Sequence, residues 1–298
     1  MPDVHPDRAR PHLALVTMRT VVREGITFSY LDRGVGEPFV FQHGLGGDAA
    51  QADGLYPDHR RLVCLECRAH GDTAPLGDPE ALTFATFAAD VLALMDHLEV
   101  ERALVGGVSM GAGVAARLAA DHPERVTGLI LVRPAWLDAP HPDGLRIMET
   151  VAALIQRGDT QAGLAALEDD PAYQAIAAQA PSAATSLRRQ FARPLAHERV
   201  AVLQRMPADF PLSDGRQWTD ITTPTLVIAT RGDPIHPFAI AETIAARIPT
   251  ATLLEVPSIE INPCAQTRAI AESLVTFADK MQNPHGQTDG PLDPRAHR

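Results

Sequence analysis

Short apolar runs bounded by turn residues alternate along this chain with longer Ala- and Leu-rich segments, and that alternation narrows its fold more than any single residue does. A continuous apolar run must be buried on both faces, and sheets covered on both faces by crossover helices are largely parallel. The runs at 26–31, 38–42, 61–65, 103–106, 126–132, 224–229 and 253–256 read as strands. Between them, 84–98, 110–121 and 238–247 read as helices, the last two stopped at His122-Pro123 and Ile248-Pro249 because proline lacks the amide a helix needs. The class is therefore α/β, with a mostly parallel sheet flanked by helices.

The alternation stops between 138 and 218, where Ala, Gln and Arg dominate and no strand-like run occurs, so this stretch is expected to be a helical cap inserted over the site. The expected layout is an N-terminal extension over 1–19, a core built from 20–137 and 219–281, the cap, and a disordered tail over 282–298 that is rich in Pro, Gly, Asp and His. A chain of 298 residues can bury a core of this size without covalent staples. The first twelve residues contain no apolar run of the signal-peptide kind, and no stretch of 18 apolar residues offers a membrane span.

Charge limits the partners. A formal net charge of −11 repels nucleic acid and anionic membrane surfaces, which leaves small neutral or cationic ligands, or a peptide-like substrate. Oligomeric state is not written in the sequence. Cys64, Cys67 and Cys264 are too few for a disulfide framework and point to a reducing compartment, the cytoplasm. Cys64 and Cys67 have C-x-x-C spacing, but they close an apolar strand and no second ligand pair follows, so they read as core residues. No metal site and no cofactor motif is recognised.

The chemistry concentrates at 104–113, where an apolar strand runs into Gly107-Val108-Ser109-Met110-Gly111 and then into the small residues of a helix start. A serine on so sharp a strand-to-helix turn takes a strained backbone conformation, and the residues two places on either side must be glycine-sized. Serine is a weak nucleophile by itself, so acyl transfer also needs an oxyanion hole, a base and a group that orients the base. The loop His43-Gly44-Leu45-Gly46-Gly47 after the strand at 38–42 supplies the first, with the amides of Leu45 and Met110 as converging donors.

From about Thr20 to Ala278 the chain resembles the α/β-hydrolase family in strand order, elbow, oxyanion loop and later acid turn. The resemblance implies an eight-stranded sheet and a Ser–Asp–His order along the chain. The segment 65–73 is similar to the family's D-x-R-G-x-G-x-S loop, with Glu66 in place of the Asp and Ala69 in place of the first Gly. The acid position falls on Asp233, in the turn that follows the strand at 224–229.

The family's histidine is expected after the final strand, where Ser258-Ile259-Glu260-Ile261-Asn262-Pro263-Cys264-Ala265-Gln266 contains none, so Ile261 or Gln266 holds the vacant place. Neither titrates, and neither can take the serine proton. Three substitutes are named. His43 precedes the oxyanion loop, His236 lies three residues beyond the acid and is expected to be turned away by the next helix, and Glu260 could act if a dry pocket raised its pKa. His285 lies in the expected tail. His70, Arg133 and Trp136 follow central strands and are expected to line the pocket.

Two functions fit these residues. The first is hydrolysis of a small ester, thioester or lactone-like substrate through Ser109, slowed by the absent base. The second, motivated by that absence, is a non-hydrolytic catalyst such as an epimerase, cyclase or lyase in natural-product tailoring, or a ligand-binding pseudoenzyme.

Overall fold

The computed structural model describes residues 18–56 and 60–282, so most of the expected tail, His285 included, and the first 17 residues of the extension lie outside the described residues. The strands are β1 (Arg19–Arg23), β2 (Ile26–Arg33), β3 (Val35–Gln42), β4 (Arg60–Leu65), β5 (Ala103–Val108), β6 (Val126–Val132), β7 (Thr225–Ala229) and β8 (Ala251–Glu255). They form one eight-stranded sheet in the order β1-β2-β4-β3-β5-β6-β7-β8, with β2 antiparallel to both its neighbours and every other pair parallel. The helices are α1 (Ala49–Leu55), α2 (Phe84–His97), α3 (Met110–Asp121), α4 (Ile147–Gln156), α5 (Thr160–Glu168), α6 (Pro171–Gln179), α7 (Pro181–Arg189), α8 (Ala201–Ala208), α9 (Gly215–Thr219), α10 (Phe238–Arg247) and α11 (Pro263–Gln282).

The apolar runs have no polar alternation because both faces of the sheet are covered. Val105, Leu129, Leu131 and Val227 pack with residues of α2, α3 and α10, whereas Leu104, Ile130, Val132, Leu226 and Ile228 pack with α1 and α11. Alternate residues of a strand point to opposite faces, so each of these strands feeds two cores at once. Burying each such side chain contributes roughly 1.5–3 kcal/mol. Cys64 and Cys67 are free and buried in these cores, and burial raises both thiol pKa values, so the C-x-x-C pair is packing.

Strand β1 is absent from the sequence reading for a physical reason. It is an edge strand, paired only with β2, and none of its side chains is fully buried, so it shows no apolar run. A two-residue turn joins the pair, with Glu24 at φ 52° and Gly25 at φ 76°, the positive angles that match the twist of a tight hairpin.

Strand order reverses around β3, where the chain leaves towards α1 on one face while β5 leaves towards α3 on the other, so a crevice opens at their carboxyl ends. Register brings the strand ends level: Gln42 pairs with Gly107, Val108 with Val132, and Val132 with Ile228. Residues 43–45, 109, 133 and 230–236 therefore share one edge. Between β6 and β7 the chain is helical from α4 to α9 and contributes no strand to the sheet. It is bolted to the core by Trp136, whose ring stands edge-on to Phe84 and whose Nε1 donates to the Met206 carbonyl at 3.1 Å, and by Arg199, which donates to the carbonyls of Gly71 and Thr73. Among the described residues no helix is long and apolar enough to cross a membrane.

Candidate active site

Ser109 sits between β5 and α3 with φ 55° and ψ −112°, a conformation that non-glycine residues rarely adopt. Its own backbone holds it there. The Ser109 amide donates to the Val132 carbonyl at 2.9 Å, and its carbonyl accepts from the amides of Ala112 and Gly113. The flanking glycines are required by space: a Cβ on Gly107 would stand 2.2 Å from the Gly111 carbonyl carbon, and one on Gly111 would stand 2.2 Å from the Gln42 carbonyl oxygen. The turn can therefore bring α3 against β3 only with glycine at both places.

His236 faces this serine. Its Nε2 lies 2.9 Å from Ser109 Oγ and its Nδ1 lies 2.9 Å from Asp233 Oδ2. An ionised carboxylate only accepts, so Nδ1 carries the proton, Nε2 is left as the acceptor, and the Ser109 hydroxyl donates to it. The expectation that the next helix turns His236 away does not hold, because α10 begins only at Phe238, after Pro237 at its N-cap. Asp233 Oδ1 instead accepts from the amides of Ile235 (3.0 Å) and His236 (3.1 Å), an Asx turn that folds the loop back and lays the imidazole on the carboxylate of its own turn.

Electrostatics support this protonation pattern. Burial resists ionisation of Asp233, but the adjoining His236, the hydrogen bonds from it and the Arg133 guanidinium outweigh that and hold the carboxyl well below the usual range. For His236 burial is the largest influence and Arg133 adds to it; together they exceed the pull of Asp233, so the imidazole pKa lies below its ordinary 6.5.

The other candidates are occupied elsewhere. His43 donates from Nδ1 to the Gly44 carbonyl (2.9 Å) and accepts at Nε2 from the Cys67 amide (3.1 Å). His70 donates from Nδ1 to the Arg68 carbonyl (2.9 Å) and accepts at Nε2 from the Gly46 amide (3.0 Å). Both rings are thereby fixed neutral, consistent with burial lowering both pKa values, and they brace the loop after β3 from 4.8 Å apart. Glu260 is exposed and accepts from the amide and hydroxyl of Ser182 at the start of α7. Gln266 is buried and donates to the Pro257 carbonyl at 3.0 Å, while Ile261 is 85% exposed. The loop after β8 thus supplies no base, and the imidazole comes from the loop after β7.

A cavity of about 370 Å³ opens above Ser109. Gly44, Leu45, Val108, Asp233, Ile235 and His236 line it from the sheet side, Leu145, Met148, Ser182, Ser186 and Gln190 from the helical segment, and Ile259 from the loop after β8. Arg133 also lines it, at φ 46° with its amide on the Ile228 carbonyl. His70 and Trp136 do not: one is pinned under the loop after β3 and the other under α8, each with its polar atoms already bonded. Glu66 takes the place of an aspartate in its loop by accepting the amides of Ala49 and Asp72, and Ala69 holds the glycine-like conformation there at φ 65°. A larger apolar groove of about 740 Å³ beside α11 contains none of these residues.

The signal for His236 was present in the sequence as Asp233-Pro234-Ile235-His236-Pro237. Asp followed by Pro starts a turn whose side-chain oxygen captures amides two and three residues on, and a proline after the histidine delays the helix.

Comparison with known proteins bears on the fold. A family model described as alpha/beta hydrolase fold matches residues 37–258. Over 262 residues the chain is 27% identical to a Variovorax paradoxus protein provisionally named carbamate hydrolase RutD, covering 84% of this chain and 94% of that one. It is 40% identical over 115 residues to the dihydrolipoyllysine-residue acetyltransferase component of the acetoin cleaving system of Cupriavidus necator, a match that takes in 37% of this chain and 30% of that relative's length. The chain therefore spans less than a third of that relative. Among solved structures, the enol-lactonase of Burkholderia xenovorans LB400 superposes with a TM-score of 0.68 at 22% identity, covering 88% of this chain and 100% of that one.

Proposed function

This chain belongs to the α/β-hydrolase fold family, and on that premise we propose that it hydrolyses small ester, thioester or lactone-like substrates through Ser109. The observation that carries this reading is the pair of 2.9 Å contacts that make His236 the bridge between Ser109 Oγ and Asp233 Oδ2. In this mechanism the serine oxygen attacks the substrate carbonyl carbon while its proton passes to His236 Nε2. The oxyanion that forms is received by the amides of Leu45 and Met110. Collapse breaks the bond to the leaving group, which takes the proton back from His236, and a water activated by the same imidazole then releases the acid and regenerates Ser109. Asp233 stays ionised throughout and holds the ring in the required tautomer. The helical segment from α4 to α9 acts as a cap that shapes the cavity.

The non-hydrolytic reading rested on the absence of a base, and with an imidazole bonded to the serine no observation favours it. Incubation with a fluorophosphonate should label the native protein and leave Ser109→Ala unlabelled, and the native protein should turn over a short-chain nitrophenyl ester in the same Ser109-dependent way. Absence of both labelling and turnover would sink the proposal.

The direction of the His236 shift sets the pH dependence. Only the neutral imidazole accepts a proton, and its pKa lies below 6.5, so kcat/KM should be level near pH 7 and fall about tenfold per pH unit below a midpoint on the acid side of 6.5. A pH–rate profile with a midpoint above 6.5 would contradict the balance of burial and Asp233 described for this ring.

A further inference from the structure

Arg133 is placed where a structural arginine would be poorly served. Its Nε is buried without a hydrogen-bond partner, and the nearest carboxylate oxygen, Asp233 Oδ2, is 3.7 Å away, too far for a hydrogen bond. That carboxylate is already committed, with Oδ1 receiving two backbone amides and Oδ2 receiving His236. Asp233 is also the one acidic side chain among the residues that line the cavity. Arg189, at the end of α7 on the opposite wall, makes no side-chain hydrogen bond or ion pair within the described residues and lines the same cavity. The lining therefore holds two cations against one engaged anion, and the Glu260 carboxylate next to it is taken up by Ser182, in a protein whose formal net charge is −11.

The buried Nε gains nothing from the cavity, but 23% of the Arg133 side chain is accessible at its wall without a protein hydrogen-bond partner, and the planar fork of a guanidinium there matches a carboxylate. The distant surface carboxylates that set the net charge are screened beyond about 8–10 Å, so the local pair of arginines decides what the cavity accepts. We propose that this cavity binds substrates carrying a free carboxylate, half-esters or lactone equivalents of dicarboxylic acids, with Arg133 as the principal anion ligand and Arg189 as a second at the rim. The inference rests on the cavity above Ser109 being the substrate site, and it replaces the expectation of neutral or cationic ligands drawn from net charge. The Leu145, Met148 and Ile235 side chains supply the apolar wall that a short methylene chain needs between its two ends.

Titration calorimetry on Ser109→Ala protein separates recognition from turnover. Monomethyl adipate should bind about tenfold or more tightly than dimethyl adipate, the gain expected of a charge-assisted contact. Arg133→Met on the same background should bring the two affinities within about twofold, Arg133→Lys should keep part of the preference, and Arg189→Gln, an exposed change that does not threaten folding, should narrow it. Equal affinities for the two esters, no binding of the monoester, or a preference that survives Arg133→Met combined with Arg189→Gln would overturn the proposal. Failure of the hydrolase reading would appear separately, as native protein that the fluorophosphonate does not label, and would leave these titrations readable.

Discussion

Replacing His236 with asparagine should lower kcat/KM towards a short-chain nitrophenyl ester by about 10⁴-fold or more, the loss expected when a serine relay keeps its oxyanion hole but has no base. Asparagine can keep a hydrogen bond to Asp233 from the place of Nδ1 but has no atom at the place of Nε2 and no titratable base, so Ser109 loses its proton acceptor while the bulk lost from the site is small. No stand-in is available. Both nitrogens of His43 and both of His70 are spent on backbone groups, and the exposed Glu260 carboxylate is held by the amide and hydroxyl of Ser182. Adding a histidine where the family's ordinarily stands, as His236→Asn with Gln266→His or with Ile261→His, should restore little. The Gln266 side chain is buried towards the Pro257 carbonyl and Ile261 points into solvent, so neither position presents a ring to Ser109. Activity of His236→Asn within about tenfold of native would refute the assignment, and recovery through Gln266→His would show that the loop after β8 can still deliver a base.

The features legible in the sequence were those that depend on neighbours along the chain. The elbow at Gly107–Gly111 could be read because strand, turn and helix follow one another within ten residues, and steric need fixes glycine at both flanks. The acid turn at Asp233 was readable for the same reason. His236 was visible but assigned the wrong direction, since the Asx turn competes with helix initiation and only Pro237 decides between them. His70 and Trp136 follow sheet strands as expected, yet their orientation depends on partners 24 and 70 residues away, Gly46 and Met206, which no local pattern reveals. Strand β1 lacked an apolar run because an edge strand has too little burial to need one. Apart from that edge strand, what escaped the sequence was side-chain direction, which long-range hydrogen bonds set, rather than the order of elements, which periodicity sets.

Gly111→Ala should be among the most damaging single-methyl changes in the site, destabilising the protein by about 3 kcal/mol or more. The added Cβ would lie 2.2 Å from the Gln42 carbonyl oxygen and 2.7 Å from that of His43, and both obstacles are backbone rather than flexible side chain. Strand β3 cannot retreat, because Gln42 is registered against Gly107 of β5 and the strand is paired with β4 on its other side. Helix α3 would have to move instead, carrying Met110 and with it the turn that holds Ser109 at φ 55°. Stability and activity should thus fall together: a melting temperature lower by roughly 6 °C or more, at about 2 °C per kcal/mol for a chain of this size, and fluorophosphonate labelling lost at temperatures where the variant is still folded. Gly54→Ala is the matched control. It lies within α1, nothing stands within 4 Å of its Cβ, and alanine is the better helix former by about 1 kcal/mol, so that variant should be at least as stable as native and label normally. A Gly111→Ala protein that melts and labels like the control would mean that β3 and α3 can separate without disturbing Ser109, and the close approach of the two elements would then not be what presents the nucleophile.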